Sequence, residues 1–135
     1  MDGMSNNASQ TTLEAARVVA RFLNDHKGER TVALHVGEKS SFTDYFVITT
    51  ATSAGHMRGL VDQLYGLLDT LDLKPRHGHR RAEDNGWILI DCGTVVVHLM
   101  SSEFRDFYDL ERLWYGCEVV FDGEVEAGPA TIGPA

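Results

Sequence analysis

Residues 87–100 read WILIDCGTVVVHLM, two apolar, β-branched runs joined by the two-residue link Cys92-Gly93. Runs of this composition are typical of β-strands, and a two-residue link suits a tight hairpin. The continuous valines at 95–97 favour a second strand that is covered on both faces. The stretch therefore predicts a β-hairpin, with strands over 87–91 and 94–100, inside a sheet that carries packed elements on both sides.

On either side of this hairpin, apolar residues recur at helix or strand spacing. Thr11 and Glu14 form a capping box ahead of a helical apolar pattern, which predicts a helix over 12–26. Ser53 is a good N-cap for a second helix, which should end before Pro75. The other predicted elements are strands over 31–36, 45–50 and 74–81, a last helix over 103–114 with Ser101 and Ser102 as candidate caps, and an extended segment over 119–121.

This order of elements predicts an α/β (α+β) fold, in which a mixed sheet of about five strands has helices packed against it. The chain has 135 residues, of which 43% are hydrophobic and 24% charged, as in an ordinary globular domain. We predict a single domain over residues 11–121. Flexible tails are expected at 1–10 and 122–135, where no apolar periodicity is present.

Composition and charge narrow the classes of function. No apolar run reaches the roughly 18 residues of a membrane span, and the N-terminus lacks the pattern of a secretory signal, so a cytoplasmic protein without membrane contact is expected. The net charge of −8 disfavours direct binding to nucleic acid, which needs clustered Lys and Arg. The same charge is compatible with a basic protein partner.

The residue types of familiar catalytic sites occur without the spacing that their chemistry needs. Cys92 and His98 lie at opposite ends of the predicted hairpin, which disfavours a nucleophile–base pair. His77 and His79 could bind zinc together with His56 or His98, although exposed histidines are the favoured interpretation. Asp91 has no second acid beside it for a magnesium site. We therefore predict no catalytic residue, no metal and no cofactor, with an enzyme kept as the alternative.

Aromatic and acidic residues are concentrated near the end of the chain. Trp87 opens a strand directly after a polar turn, and the last predicted helix carries Phe104, Phe107, Tyr108, Leu110, Leu113 and Trp114. Eight acids occur between 101 and 126, opposed by Arg105 and Arg112; the acids are Glu103, Asp106, Asp109, Glu111, Glu118, Asp122, Glu124 and Glu126. Core packing accounts for part of the aromatic cluster. The remainder, surrounded by acids, is typical of an anchor for a basic protein surface.

Five stretches, in order along the chain, resemble the ribosomal silencing factor family, also called RsfS or Iojap. They are SSFTDYFVI at 40–48, Thr52-Ser53 with His56, GWILIDCG at 86–93, VVVH at 95–98 and FYDLERLW at 107–114. One departure is the stretch His77-Gly78-His79-Arg80-Arg81, where the family usually has an acid between two glycines.

The resemblance implies a protein that binds ribosomal protein fourteen of the large ribosomal subunit and keeps the small subunit from joining, which represses translation. Carried over by motif, the contact residues would be Trp87, Tyr108, Asp109 and Leu110, with Arg105, Glu111 and Trp114 as further candidates. Family members often form homodimers, so dimerisation is an open alternative. The family fold also resembles that of nucleotidyltransferases. Those enzymes need a pair of acids that this sequence lacks, so a nucleotidyltransferase-like enzyme is the disfavoured alternative.

Overall fold

The computed structural model describes residues 2–76, 79–83 and 86–125, and it describes the side chains of 10–76 and 86–125. The elements in chain order are α1 Asp2–Asp25, β1 Glu29–His35, β2 Tyr45–Ala51, α2 Ala54–Thr70, β3 His79–Glu83, β4 Trp87–Asp91, β5 Val95–Ser101, α3 Ser102–Tyr108, α4 Leu110–Leu113 and β6 Glu118–Asp122. The strands form one sheet in the order β3-β4-β5-β2-β1-β6. The β2–β5 pair is parallel, and the other neighbouring strands are antiparallel.

The predicted fold class, a mixed sheet with flanking helices, is confirmed. The sheet has six strands rather than about five, because 118–122 pairs with β1, with one register shift between Ala33 and Leu34. The predicted hairpin is present, and Gly93 adopts a φ of 87° in its turn, a conformation that glycine reaches without steric cost. The Gly93 N–H also donates to Asp91 Oδ1 at 2.8 Å, which stabilises the turn.

Each face of the sheet has its own apolar core. On the first face, α1 and α2 pack over residues such as Val47, Val97 and Leu99. On the second face, Phe46, Ile48 and their neighbours pack under the chain that follows β5. Six of the seven residues of β5 are buried, because this strand is central and covered on both sides.

Several predicted bounds differ from the structure by one or two residues, and three differences bear on the predicted tails and strands. The first helix begins at Asp2, so residues 2–10, predicted as a flexible tail, are helical; once later turns are anchored, each further residue adds a helical hydrogen bond at little cost. The strand predicted over 74–81 lies at His79–Glu83. In the predicted tail at 122–135, Asp122 ends β6 and residues 123–125 are helical, and residues 126–135 lie outside the described part of the chain.

The fourth difference concerns the last predicted helix, over 103–114, which is two short helices. Ser101 caps the first of them, as predicted, by accepting the Phe104 N–H at 3.2 Å. At Asp109 the backbone turns left-handed, with φ 47° and ψ 58°, and α4 starts in a new direction. This break decides which of the aromatic residues point outward.

Candidate functional site: an aromatic ridge on the second face of the sheet

Four aromatic side chains form a continuous cluster where α3 crosses the start of β4. We call Trp87, Phe104, Phe107 and Tyr108 the aromatic ridge. Its centre is the Tyr108 ring, whose centroid lies 4.9 Å from Trp87, 5.8 Å from Phe104 and 5.0 Å from Phe107. Phe107 is 77% exposed, and the other three are half-buried. The ridge is therefore rooted in the core and open to another molecule.

Gly86 allows the two parts of the ridge to meet. A Cβ placed on this residue would lie 1.8 Å from Phe104 Cδ2, far inside contact distance. The Gly86 carbonyl also accepts the Ser101 N–H at 2.8 Å, which ties the start of β4 to the start of α3. A side chain at 86 would thus push Phe104 away from the sheet.

The left-handed residue Asp109 separates an outward-facing side chain from an inward-facing one. Phe107 precedes it and is exposed, whereas Leu110 follows it and is 7% exposed within the second core. Leu110 was predicted as a contact residue and is instead buried, because the change of helix direction turns it onto the sheet. Asp109 itself is exposed, and its carboxylate makes no capping hydrogen bond.

Arg105 was also predicted at the contact surface, and the structure places it inside the protein. It is 2% exposed. Its Nη1 donates to Thr50 Oγ1 at 3.0 Å, its Nη2 to the Arg30 carbonyl at 2.7 Å, and its Nε to Glu111 Oε1 at 3.2 Å. A guanidinium can satisfy several acceptors in one plane, so a single side chain connects β1, β2, α3 and α4.

Glu111 is the charge partner of this buried arginine. Burial alone would raise the pKa of Glu111, but the hydrogen bond and positive charge of Arg105 outweigh it and lower that pKa below its usual value. Glu111 is therefore ionised at neutral pH and engaged with Arg105. Its carboxylate supports the fold of the segment, and the partner contact that the family resemblance implied for it stays a prediction.

Two of the acids around the aromatic ridge are engaged in ion pairs within the protein. Asp106 pairs with Arg30 at 3.1 Å, and Glu111 pairs with Arg105. Glu103 and Asp109 are exposed and make no ion pair within the described part of the chain. These two carboxylates flank the aromatic ridge in sequence and are available to a basic partner.

Beyond α4, the chain exposes two further apolar side chains. Leu113 is 71% exposed and Tyr115 is 84% exposed, whereas Trp114 between them is half-buried with its ring edge-on to Phe46 at 5.1 Å. Tyr115 did not stand out in the sequence, because nothing local shows that α4 ends at Leu113. The Lys39 ammonium donates to the Tyr115 carbonyl at 2.8 Å and holds this stretch against the loop after β1.

The Trp87 indole is hydrogen-bonded to a buried histidine behind the ridge. Trp87 Nε1–H donates to His98 Nδ1 at 3.1 Å. His98 is 4% exposed. Burial, with a smaller contribution from the charge of Arg105, lowers the pKa of His98 to about 3. His98 is therefore neutral at physiological pH.

The depressed pKa of His98 predicts how stability depends on pH. In the unfolded chain this imidazole takes up a proton below about pH 6.5, whereas in the folded protein it stays neutral to about pH 3. The unfolded state therefore binds more protons within this window, and the free energy of unfolding should fall as the pH falls. Between pH 7 and pH 5 we expect a loss of about 2 kcal/mol from this group, measurable by urea unfolding.

The variant His98→Asn provides the control for this prediction, since asparagine does not titrate in that range. The pKa of Glu111 is lowered by folding, so its charge stabilises the folded protein at neutral pH. That stabilisation is lost only when the pH falls below the pKa of Glu111 in the unfolded chain, so Glu111 contributes little to the change between pH 7 and pH 5. An equal fall in stability for wild type and His98→Asn would contradict the assignment to His98.

Cys92 and Asp91 are the residues that the sequence offered as a nucleophile and as a metal-binding acid. Burial, and then the charge of Asp91, raises the pKa of Cys92 to about 11, so its thiol is protonated at neutral pH and a poor nucleophile. A cleft of about 470 Å³ opens at the end of β2 and β5, and its lining includes Ser53 and Ser101. Asp91 pairs with Val96 at the opposite end of β5 and cannot reach this cleft.

The predicted absence of a metal site concerns a part of the chain that is only partly described. Within the described residues, no three His, Cys, Asp or Glu side chains come together as metal ligands. His77 and the side chain of His79 lie outside the described residues, so the alternative of zinc at this pair stays untested. Within the same part of the chain, no helix has both the length and the apolar character of a membrane span.

Fold and site together define a mixed-sheet α/β domain that presents an aromatic surface built on a sheet face. A family model described as "Ribosomal silencing factor during starvation" matches residues 9–132. The chain therefore belongs to the ribosomal silencing factor family, in agreement with the resemblance seen in its motifs.

Individual relatives support this assignment. The ribosomal silencing factor RsfS of Chromobacterium violaceum is 30% identical over 105 residues, which cover 76% of this chain and 84% of that protein. A mouse protein named "Mitochondrial assembly of ribosomal large subunit protein 1" is 34% identical over 83 residues, 60% of this chain and 36% of the mouse protein. A crystal structure of a Chromobacterium violaceum protein superposes with a TM-score of 0.69 at 28% identity, covering 78% of this chain and 87% of that one.

Proposed function

We propose that this protein represses translation in the cytoplasm by binding the large ribosomal subunit through ribosomal protein fourteen, and so blocks the joining of the small subunit. It acts by occupying a surface and catalyses no reaction. The observation that carries the proposal is the aromatic ridge, with Phe107 77% exposed, in a chain of the ribosomal silencing factor family. The name of the mouse relative connects that protein with the large ribosomal subunit, which supports the choice of partner.

The ridge has the properties of a protein-binding hot spot. Aromatic side chains contribute much apolar contact area, and half-buried rings lose little conformational freedom on binding. The free carboxylates Glu103 and Asp109 supply a polar rim of negative charge. The net charge of −8 favours approach to a positively charged protein surface.

We divide the predicted contact residues by their accessibility. Trp87, Tyr108 and Asp109 are accessible and, with Phe107, are proposed as direct contacts. Half-buried Trp114 lies on the same face and is proposed at the margin of the contact. Buried Arg105 and Leu110 lie behind the surface and hold it in place, and half-exposed Glu111 is engaged with Arg105.

Sedimentation with separated ribosomal subunits tests the proposal. We expect the wild-type protein to pellet with large subunits and to stay in the supernatant with small subunits. Addition of the protein to both subunits should lower the fraction of joined ribosomes in a sucrose gradient. Large subunits that lack ribosomal protein fourteen serve as the matched control and should not bind.

Two results would contradict the proposal. Equal binding to both subunits would exclude a specific partner on the large subunit. Binding to protein-free ribosomal RNA, with an affinity that falls steeply as salt increases, would indicate contact with phosphates instead of with a protein.

A further inference from the structure

The hydrogen bond between Trp87 and His98 determines which nitrogen of the histidine carries the proton. An indole N–H is a donor only, so His98 Nδ1 must be the acceptor and the proton must reside on Nε2. His98 Nε2 is buried and has no hydrogen-bond partner among the described residues. One nitrogen of this ring is therefore used by Trp87, and the other is unsatisfied.

A histidine in this position is costly for the fold. Its neighbours in β5 are Val96, Val97, Leu99 and Met100, all buried and apolar. An unsatisfied N–H in such surroundings lowers stability, and an apolar side chain of similar volume would avoid the penalty. Packing alone therefore does not account for the histidine.

The surroundings of the imidazole keep its Nδ1 free to accept. Addition of a second proton would occupy Nδ1 and break the bond to Trp87. Burial and the nearby Arg105 both oppose that proton, so the acceptor persists throughout the physiological range of pH. Phe46 contacts the imidazole edge-on at 4.6 Å and limits its rotation.

We propose that His98 is a positioning residue, which fixes the Trp87 indole within the aromatic ridge by accepting its Nε1–H. This inference rests on the proposed function, since it assigns to His98 the preorganisation of the docking surface. A rigid indole loses less freedom when a partner binds, so the cost of the buried N–H is offset by tighter binding. His98 itself does not touch the partner.

The hydrogen bond can be tested in the unmodified protein by NMR. In ¹⁵N-labelled full-length protein, we expect a coupling through the hydrogen bond between Trp87 Nε1 and His98 Nδ1. The indole signals are assigned with Trp114→Phe, which leaves Trp87 as the one tryptophan. Failure to detect the coupling, together with rapid exchange of the Trp87 indole proton, would overturn the inference whatever the protein binds.

Two substitutions then separate positioning from stability. His98→Leu removes the acceptor and replaces the imidazole with an apolar side chain of similar size. His98→Asn instead places an amide oxygen near the position of Nδ1. We expect His98→Leu to melt at or above the wild-type temperature and to bind large subunits about tenfold more weakly. His98→Asn should restore most of the affinity and the slow exchange of the indole proton.

Failure of the positioning role of His98 and failure of the proposed function give different experimental results. If the wild type does not bind large subunits, the proposed function fails, while the NMR measurement still reports on the hydrogen bond. If the wild type binds and His98→Leu binds equally well, positioning by His98 is wrong. Parallel losses of stability and affinity in both variants would show a purely structural histidine and would likewise overturn the inference.

Discussion

Replacement of Arg105 by methionine is expected to lower the free energy of unfolding by about 3 kcal/mol, a large part of the 5–15 kcal/mol typical of a domain. The methionine keeps most of the apolar stem and removes the guanidinium. The buried Thr50 hydroxyl and the Arg30 carbonyl then lose their donor, and Glu111 loses its charge partner. Unsatisfied buried polar groups and unpaired charges are among the few causes of losses this large.

Urea unfolding of Arg105→Met beside Arg112→Met measures this effect. Arg112 is an exposed arginine in the adjoining α4 and makes no ion pair within the described residues, so its replacement should change stability by less than about 0.5 kcal/mol. The double variant Arg105→Met/Glu111→Leu should lose less free energy of unfolding than the two single variants together. Each single variant already loses the ion pair, and the double variant can lose it only once. Equal stability of Arg105→Met and wild type would show that the buried network is dispensable.

The second large effect is a loss of affinity for the large ribosomal subunit, which we expect for Phe107→Ala. Phe107 is 77% exposed, so its truncation should leave the free energy of unfolding within about 0.5 kcal/mol of wild type. If its ring is an anchor for ribosomal protein fourteen, removal should cost about 2 kcal/mol of binding free energy, some thirtyfold in affinity. Titration of large subunits in the sedimentation assay measures the change.

Phe42→Ala is the matched control for this experiment. Phe42 is 66% exposed, but it lies in the loop before β2, beside Arg76 and the hairpin turn, and belongs to no part of the aromatic ridge. We expect its truncation to leave affinity unchanged. Tyr108→Ala extends the test to the centre of the ridge, although some loss of stability is expected there because Tyr108 is half-buried. Wild-type affinity in both Phe107→Ala and Tyr108→Ala would remove the ridge from the proposal.

Arg105 and Phe107 are connected through the left-handed turn at Asp109. Arg105 ties α3 and α4 to the two strands beneath them, and that tie holds the left-handed turn at Asp109 in place. Because of this left-handed turn, Leu110 is buried and Phe107 stays exposed. The shape of the aromatic ridge, the proposed contact surface, thus depends on a buried charge network.

Local features of the fold were predictable from the sequence because their causes are local. Hairpin turns and helix caps depend on residues close together in the chain. Ser53 and Ser101 were predicted as caps, and both are observed. The tight turn predicted at Cys92-Gly93 lies one residue later, at Gly93-Thr94, because the Cys92 N–H donates to the Val95 carbonyl at 2.9 Å. The alternation and continuity of apolar residues likewise indicated which strands are covered. The motifs, read in order, also identified the family.

The candidate site was predicted in composition but not in detail. Trp87 and Tyr108 lie together in the ridge as accessible aromatic residues, and Asp109 follows the ridge in the chain as an exposed acid. Arg105 and Leu110 had been grouped with them because they share one short helical segment. An unbroken helix was the simplest interpretation of that segment, since Asp109 gives no unambiguous signal of a left-handed residue.

Most of the strands, the helix caps, the hairpin and the family could be predicted from the sequence, because they depend on residue type and short-range spacing. The tertiary structure alone decided that Arg105 turns inward, since its acceptors Thr50 and Arg30 lie 55 and 75 residues away in the chain. It also decided that His98 accepts from Trp87 and that 118–122 completes the sheet beside β1. Contacts of that range form only when the whole chain has folded, because no local pattern specifies which distant groups will meet.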